Sequence, residues 1–175
     1  MTGLEIAAQI LNCIGSAINM VGINIKDKKK ILLFFIVGNI LTAVATGLLA
    51  AWVGMLILIV FVVETIINYF WDKKYDKYPV WLILIYVIVP CVLSAITFQS
   101  AWDLLPIAAG ILFPLALLSR DFKLRLLNLL SVSVWIPYNL HIGQYVGAVS
   151  CAVFVVINLV AIIRLDVLKP KSSSH

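Results

Sequence analysis

The residues that could carry chemistry in this sequence are amides, hydroxyls and one indole, all set into apolar stretches. Asn128, Ser131, Trp135 and Asn139 recur at steps of three or four residues, which places them on one face of a helix. Amides donate and accept hydrogen bonds, and an indole ring stacks on a flat ligand. This face therefore indicates a site that binds a polar, ring-bearing solute.

Other apolar stretches carry matching polar faces. Asn12 belongs to a run of polar residues near the start of the chain, and Thr42, Thr65 and Asn158 lie on later stretches. In hydrocarbon such side chains usually face the interior of a helix bundle. They act there either as ligand contacts or as packing seams between helices. We predict that the substrate-binding residues are Trp135, Asn139, Asn158, Asn12, Thr42 and Thr65, with packing as the open alternative.

Glu64 is the one acidic residue deep inside an apolar stretch. It precedes Lys73 by nine residues, which is roughly 13 Å along a helix. Its carboxyl group therefore cannot easily reach the basic cluster, and it needs a proton, a partner or water. The sequence leaves two roles open, coupling of protons or contact with substrate on one side and a structural hydrogen bond on the other.

The chain shows no constellation typical of an enzyme. It has no phosphate-binding glycine loop and no serine–histidine pair with a plausible orienting group. Cys13, Cys91 and Cys151 lie inside apolar stretches, and their spacing suggests neither a metal site nor a disulfide framework. We therefore expect no catalysis, no cofactor and no metal.

The composition excludes an ordinary soluble domain. Of the 175 residues, 63% are hydrophobic and only 12% are charged, whereas soluble domains are nearer one quarter charged. The net charge of +5 comes from short clusters between apolar runs, a pattern typical of membrane topology. We therefore predict a partner in the lipid bilayer and none in nucleic acid.

Seven apolar spans follow from this pattern, and we place them at 4–25, 31–50, 52–71, 79–98, 102–119, 123–142 and 145–164. The 13 basic residues all follow odd-numbered spans, so that seven crossings place every one on the same side of the membrane. They are Lys26, Lys28, Lys29, Lys30, Lys73, Lys74, Lys77, Arg120, Lys123, Arg125, Arg164, Lys169 and Lys171. By the positive-inside rule that side is cytoplasmic, with the N-terminus outside and the C-terminus inside.

Two parts of the chain resemble each other at an offset of 93 positions. Lys30 then meets Lys123, Gly54 meets Gly147, and the loop and charge layout repeats. Both units begin outside, so they have the same orientation and need one helix between them. We expect an all-α, polytopic membrane protein with seven transmembrane helices, arranged as two parallel three-helix bundles joined by a linker helix. Its single domain (1–175) divides into 4–71, 79–98, 102–164 and a cytoplasmic tail at 165–175.

The stretches KDKKKILLFFIVGNILTAVATGLLAAWVG, RLLNLLSVSVWIPYNLHIGQYVG and INLVAIIR carry a resemblance that covers nearly the whole chain. They are similar to the bacterial YgjV family of inner-membrane proteins. The three-plus-one-plus-three plan resembles SWEET sugar transporters and PnuC vitamin-precursor transporters in architecture. SWEET-type cavities imply a role for Trp135, Asn139 and Asn158. Because Thr42 replaces the tryptophan in the first unit, we expect the second unit to contribute more to the site.

The leading hypothesis is a transporter or facilitator for a small polar solute, such as a sugar, a nucleoside or a vitamin precursor, by alternating access. The alternative is a non-transporting membrane protein with an assembly, lipid-binding or regulatory role, in which the polar residues only pack helices. Both hypotheses place the chain in the bacterial inner membrane. The sequence leaves open whether it forms a homo-oligomer.

Overall fold

The computed structural model describes residues 2–74, 79–98 and 100–168, and seven α-helices lie within them. The predicted all-α class is confirmed. Lys77, Lys169 and Lys171, with the end of the predicted tail, lie outside the described residues. The helices are α1 (Gly3–Ile23), α2 (Lys28–Leu48), α3 (Trp52–Lys74), α4 (Val80–Thr97), α5 (Leu104–Leu118), α6 (Asp121–His141) and α7 (Tyr145–Ile162), with a 3-10 turn (Ala101–Asp103) before α5 and a π-helical turn (Ile163–Val167) after α7.

Five helical segments in the described part of the chain are long and apolar enough to cross a bilayer. They are Gly3–Ile23, Lys28–Leu48, Trp52–Trp71, Ala101–Leu118 and Tyr145–Asp166. The apolar segment of α4, Trp81–Leu93, is shorter than these five. The first turns of α6 carry Asp121, Lys123 and Arg125, which shortens its apolar length. Crossing of the membrane by α4 and α6 therefore remains a prediction.

The helices pack in a ring. α2 lies between α1 and α3, and α6 lies between α5 and α7, so each three-helix unit forms an arc. Contacts of α1 with α7 and of α3 with α5 join the two arcs, while α4 packs against α3 and α5 at one seam. The first and third helices of a unit are thus separated by the second, and the ring encloses a central space between the units.

Polar side chains lie inside this ring, and large apolar side chains lie outside it. Asn68 and Asn158 are fully buried, whereas Ile96 and Phe70 are exposed over 77% and 64% of their surface. A soluble protein rarely exposes so much contiguous apolar surface. In a bilayer the same surface faces lipid, and buried polar groups find partners within the bundle. The distribution is therefore that of a membrane protein.

The turn between the second and third helices has the same conformation in both units. Ala50 (φ 56) and Gly143 (φ 73) are 93 positions apart, and both adopt the left-handed conformation just after a helix. In each turn two backbone N–H groups donate back to the helix end, as in a Schellman cap. The bonds run from Ala50 to Gly47, Ala51 to Thr46, Gly143 to Leu140 and Gln144 to Asn139, so the acceptors are also 93 positions apart.

Glycines bring α1 and α2 close together. A Cβ at Gly15 would lie 2.7 Å from the carbonyl oxygen of Gly38, and one at Gly22 would lie 2.6 Å from the Cβ of Phe34. Small residues commonly allow such approach between membrane helices. This contact fixes the position of α1, and with it the polar face that includes Asn12.

The left-handed turns predict opposite effects from two reciprocal substitutions. A left-handed non-glycine residue costs roughly 1–2 kcal/mol, and glycine adds unfolded-state entropy of about 0.4–1 kcal/mol. Ala50→Gly should therefore raise the free energy of unfolding by up to about 1 kcal/mol, and Gly143→Ala should lower it by a similar amount. No atom lies within 4 Å of a Cβ at Gly143, so only the backbone is tested there. Thermal unfolding in one detergent measures both, and a shift in the same direction would contradict the shared conformation.

The glycine contact predicts a loss of stability on adding one methyl group. Gly15→Ala should lower the free energy of unfolding by roughly 1–3 kcal/mol, because the new Cβ meets backbone that must move. Gly3→Ala is the matched control, since no atom lies within 4 Å of its Cβ position. Equal unfolding midpoints for the two variants would show that α1 and α2 are less closely packed.

Candidate ligand-binding cavity

A central cavity of about 80 Å³ lies between the two arcs. Six helices, α1, α2, α3, α5, α6 and α7, contribute to its lining, together with the α6–α7 turn. This is space for several water molecules, so a larger solute would need the helices to move apart. The lining residues are Asn12, Ser16, Asn19, Phe35, Asn39, Thr42, Thr46, Leu58, Phe61, Phe113, Asn128, Ser131, Val132, Trp135, Asn139, Gln144, Ser150, Cys151 and Phe154.

Aromatic rings form one continuous part of this lining. The centroids of Phe61 and Phe113 are 4.2 Å apart, and Phe35 lies 5.9 Å from Phe113. Trp135 meets Phe61 edge to face at 6.4 Å and 80°. Rings in such a cluster hold one another in place and present a rigid apolar surface. The cavity therefore offers a firm surface for the flat face of a ligand.

Side-chain amides form the polar part of the lining, and several have atoms without a partner. The amide nitrogen of Asn19 donates to the amide oxygen of Asn39 at 3.2 Å, which joins α1 to α2. Five further amide atoms have no hydrogen-bond partner among the described residues. They are the Asn19 oxygen, the Asn39 nitrogen, the Asn128 nitrogen and both amide atoms of Gln144. A buried polar atom without a partner costs about 1–3 kcal/mol. These atoms therefore favour water or a polar ligand in the cavity.

The lining follows the offset of 93 positions between the two units. Every lining position in α2 and α3 has a counterpart 93 residues later, in α6 or α7, that also lines the cavity. The six pairs are Phe35 with Asn128, Asn39 with Val132, Thr42 with Trp135, Thr46 with Asn139, Leu58 with Cys151, and Phe61 with Phe154. The side chains differ at five of the six pairs, so the units share geometry rather than chemistry.

The first helix of each unit adds to the asymmetry of the cavity. α1 contributes Asn12, Ser16 and Asn19, whereas α5 contributes Phe113. We expected the second unit to contribute more to the site; in the cavity lining, however, α1 supplies polar groups for which α5 offers no counterpart. The two units therefore line the cavity to a similar extent.

Four predicted residues, Asn12, Thr42, Trp135 and Asn139, lie together at the cavity. All four are buried, and they come from α1, α2 and α6. The amide nitrogen of Asn139 donates to Cys151 Sγ at 3.5 Å, a weak bond that sets the orientation of the side chain. The spacing on the polar faces thus identified side chains that converge in space.

Asn158 and Thr65, which were predicted for the same site, lie outside the cavity lining. Asn158 is fully buried between helices, where its amide nitrogen donates to the backbone carbonyl of Arg125 at 3.1 Å. The Thr65 hydroxyl donates to the carbonyl of Phe61 in its own helix at 2.6 Å. Asn158 joins α7 to α6, and Thr65 satisfies its hydroxyl locally, so both correspond to the packing alternative.

Glu64 lies apart from the cavity, on the part of α3 that contacts α4. It is buried, and neither carboxyl oxygen has a hydrogen-bond partner in the described part of the chain. The Tyr86 hydroxyl donates to the backbone carbonyl of Glu64 at 3.4 Å, and the Asn68 amide oxygen also lacks a described partner. The structural hydrogen bond considered for this carboxyl group is therefore not found there.

Sequence reasoning missed several lining residues. Asn39 and Asn128 lay on recognised polar faces, so their spacing was a usable signal. Gln144 lies in the turn between α6 and α7, yet its side chain is fully buried because the left-handed Gly143 turns the chain inward. The phenylalanines gave no signal, since an apolar run does not distinguish lipid-facing from cavity-facing rings.

α1 is held to the second unit at both of its ends. At one end the Gln9 amide nitrogen donates to the Gly143 carbonyl at 3.3 Å, and the Val146 N–H donates to the Gln9 oxygen at 3.1 Å. At the other end Arg125 donates to the Ile25 carbonyl at 3.2 Å and to Asp166 at 3.1 Å. The cavity residues of α1 lie between these two contacts, which we call the Gln9 contact and the Arg125 contact.

Comparison with known proteins identifies the family of this chain. A family model described as Imp-YgjV, bacterial inner membrane protein, matches residues 6–169, and the match spans all seven helices. No curated protein and no solved structure gives a match. The family and the apolar helices together identify a multi-pass protein of the bacterial inner membrane. The predicted resemblance to the YgjV family is confirmed, and the chain belongs to the Imp-YgjV family.

Proposed function

We propose that this protein is a transporter or facilitator that moves a small, uncharged, polar solute across the inner membrane by alternating access. One observation carries the proposal. A central cavity is lined from repeat-related positions, and four of its lining residues have buried amide atoms without a partner among the described residues. A packing amide usually pairs at least one of its atoms with a neighbouring helix, as the Asn158 nitrogen does.

The chemistry of the lining supports the solute class. Amide groups of Asn12, Asn128 and Asn139 offer both donors and acceptors, and Trp135 offers an aromatic face. None of the described residues that line the cavity carries a formal charge. Sugars, nucleosides and uncharged vitamin precursors combine hydroxyl or amide groups with a ring, so they suit this lining.

The arrangement of the helices supports the topology. Matching caps at Ala50 and Gly143, and matching lining positions, agree with two parallel three-helix units that α4 links. Lys26 and Arg120 border one cleft, so the α1–α2 and α5–α6 turns share an end of the molecule. In the proposed topology that end is cytoplasmic and the N-terminus is outside. This plan resembles that of SWEET and PnuC transporters.

The two contacts of α1 suggest how access alternates. In the proposed topology the Gln9 contact lies toward the outside, and the Arg125 contact lies toward the cytoplasm. Opening the Gln9 contact would admit solute from outside, and opening the Arg125 contact would release it inside. Because the resting cavity has only about 80 Å³ of space, loading requires one of them to open.

A second candidate function keeps the same fold without transport. In it the buried amides only join helices, as Asn158 does, and the protein serves assembly, lipid binding or regulation. The small resting cavity favours this candidate. Ligand binding at the cavity distinguishes the two functions, and self-association of the chain fits either.

Cavity and packing amides should respond differently to truncation. We expect a thermal-shift screen of sugars, nucleosides and vitamin precursors to find a ligand for the detergent-purified protein. Trp135→Ala and Asn139→Ala should then weaken binding by about tenfold or more, equivalent to roughly 1.4 kcal/mol. Asn158→Ala is the matched control, because this buried amide lies outside the lining. It should lower the unfolding midpoint and leave the affinity within about twofold of the starting protein.

Uptake into liposomes completes that test. The ligand found in the screen should accumulate inside vesicles that contain the protein, and Asn139→Ala should slow its entry. If no compound of the three classes binds or enters, or if Asn158→Ala weakens binding as much as Asn139→Ala, the cavity is not the transport site.

Glu64 is the proposed site of proton coupling. A carboxylate without a partner is costly in hydrocarbon, so the group carries a proton while buried and releases it when water reaches it. Glu64→Gln, which imitates the protonated acid, should keep the fold and solute exchange but abolish uptake driven by a proton gradient. Glu5→Gln, in the exposed first turn of α1, is the control, since glutamine also completes a capping box. Unchanged gradient-driven uptake by Glu64→Gln would exclude coupling at this residue.

A further inference from the structure

A second cavity lies at the end of the molecule where the α1–α2 and α5–α6 turns meet. It is an open cleft of about 420 Å³, separate from the central cavity. Its lining has five basic and two acidic side chains, a formal excess of three positive charges. The lining residues are Lys26, Asp27, Lys28, Lys29, Ile31, Arg120, Asp121, Leu124 and Arg125.

Two long helices begin at this cleft. α2 starts at Lys28 and α6 at Asp121, so the positive ends of both helix dipoles lie beside the basic side chains. Asp27 accepts a hydrogen bond from the N–H of Lys29 at 2.9 Å, so this acid is occupied as the cap of its own helix. No side chain in the described residues caps α6 at Arg120. The two helix N-termini therefore add to the positive field of the basic side chains, while Asp166 offsets the charge of Arg125.

Arg125 forms a fixed inner wall of the cleft. The side chain is 5% exposed, and its terminal nitrogens are held by Asp166 and the Ile25 carbonyl. Its Nε atom is buried and has no hydrogen-bond partner among the described residues. A buried guanidinium with an unused donor, in a wall of a basic cleft, is a feature of anion recognition rather than of topology alone.

We infer that this cleft binds a phosphate group, carried either by an anionic lipid headgroup or by a soluble phosphate compound. Arginine and lysine with helix N-termini form recurrent phosphate sites. Basic pockets between helices on the cytoplasmic side of a membrane suit anionic lipid headgroups. The inference is independent of the proposed transport function, because none of the cleft residues lines the central cavity.

Two double variants with equal change of charge test the inference on the full chain in detergent. Lys26→Gln with Lys29→Gln removes two exposed cations from the cleft. Lys30→Gln with Lys123→Gln removes two exposed cations that are close in sequence but outside its lining. Each protein is heated with phosphatidylglycerol, with zwitterionic phosphatidylcholine, or with inorganic phosphate at constant ionic strength.

The unaltered protein should gain about 3–6 °C in unfolding midpoint from one anionic probe at saturation. The cleft variant should lose at least half of that gain, whereas the control variant should keep it. A gain with phosphatidylglycerol alone identifies a lipid headgroup, and a saturable gain with inorganic phosphate identifies a soluble source. Equal losses in both double variants, or no gain with either anionic probe, would overturn the inference.

Discussion

Hydrogen bonding of polar groups within a surrounding hydrocarbon is the constraint on which the rest of this structure depends. Water is absent from the bilayer core, so each amide, hydroxyl and carboxyl group must meet a partner inside the ring of helices. Asn158 meets the backbone of α6, and Asn19 meets Asn39 across the α1–α2 contact. Such bonds decide which helix faces can be neighbours. Among the described residues this pairing is incomplete at the central cavity, and also at Glu64 and Asn68 on α3.

Helices α1–α3 and α5–α7 share turn geometry and lining positions, whereas most of the side chains at those positions differ. Ala50 holds the same left-handed conformation as Gly143, although alanine is strained there. The six paired lining positions combine different chemistry, such as Thr42 with Trp135. The first helices differ further, since α1 lines the cavity with polar groups and α5 with Phe113. A symmetric framework thus holds an asymmetric interior, which allows one unit to change its contacts with a solute without changing the shape of the other.

Much of the fold could be predicted from the sequence, because hydrocarbon penalises every misplaced polar residue. The helix positions follow from the apolar runs, and the polar faces that carry Asn12, Thr42, Trp135 and Asn139 follow from spacing. Spacing shows which residues share a face, but it does not show which neighbour that face meets. The sequence therefore could not distinguish Asn158, which joins two helices, from Asn139, which lines the cavity. The inward direction of Gln144 depends on the conformation of the turn at Gly143, which spacing does not reveal. The phenylalanines of the cavity have the same apolar sequence context as phenylalanines that face lipid.

Arg125 belongs at once to the basic cleft and to the contact that holds the end of α1. Its guanidinium also donates hydrogen bonds to Asp166 beyond α7, and its backbone carbonyl accepts one from the Asn158 amide nitrogen. Any equilibrium between closed and open forms of that contact is therefore thermodynamically linked to occupancy of the cleft. By reciprocity, an anion that binds the closed form more tightly shifts the equilibrium toward that form. The factor of this shift equals the factor by which closure raises the affinity for the anion. In the proposed transport cycle, one buried side chain would then let the charge of the membrane surface set how readily the protein opens toward the cytoplasm.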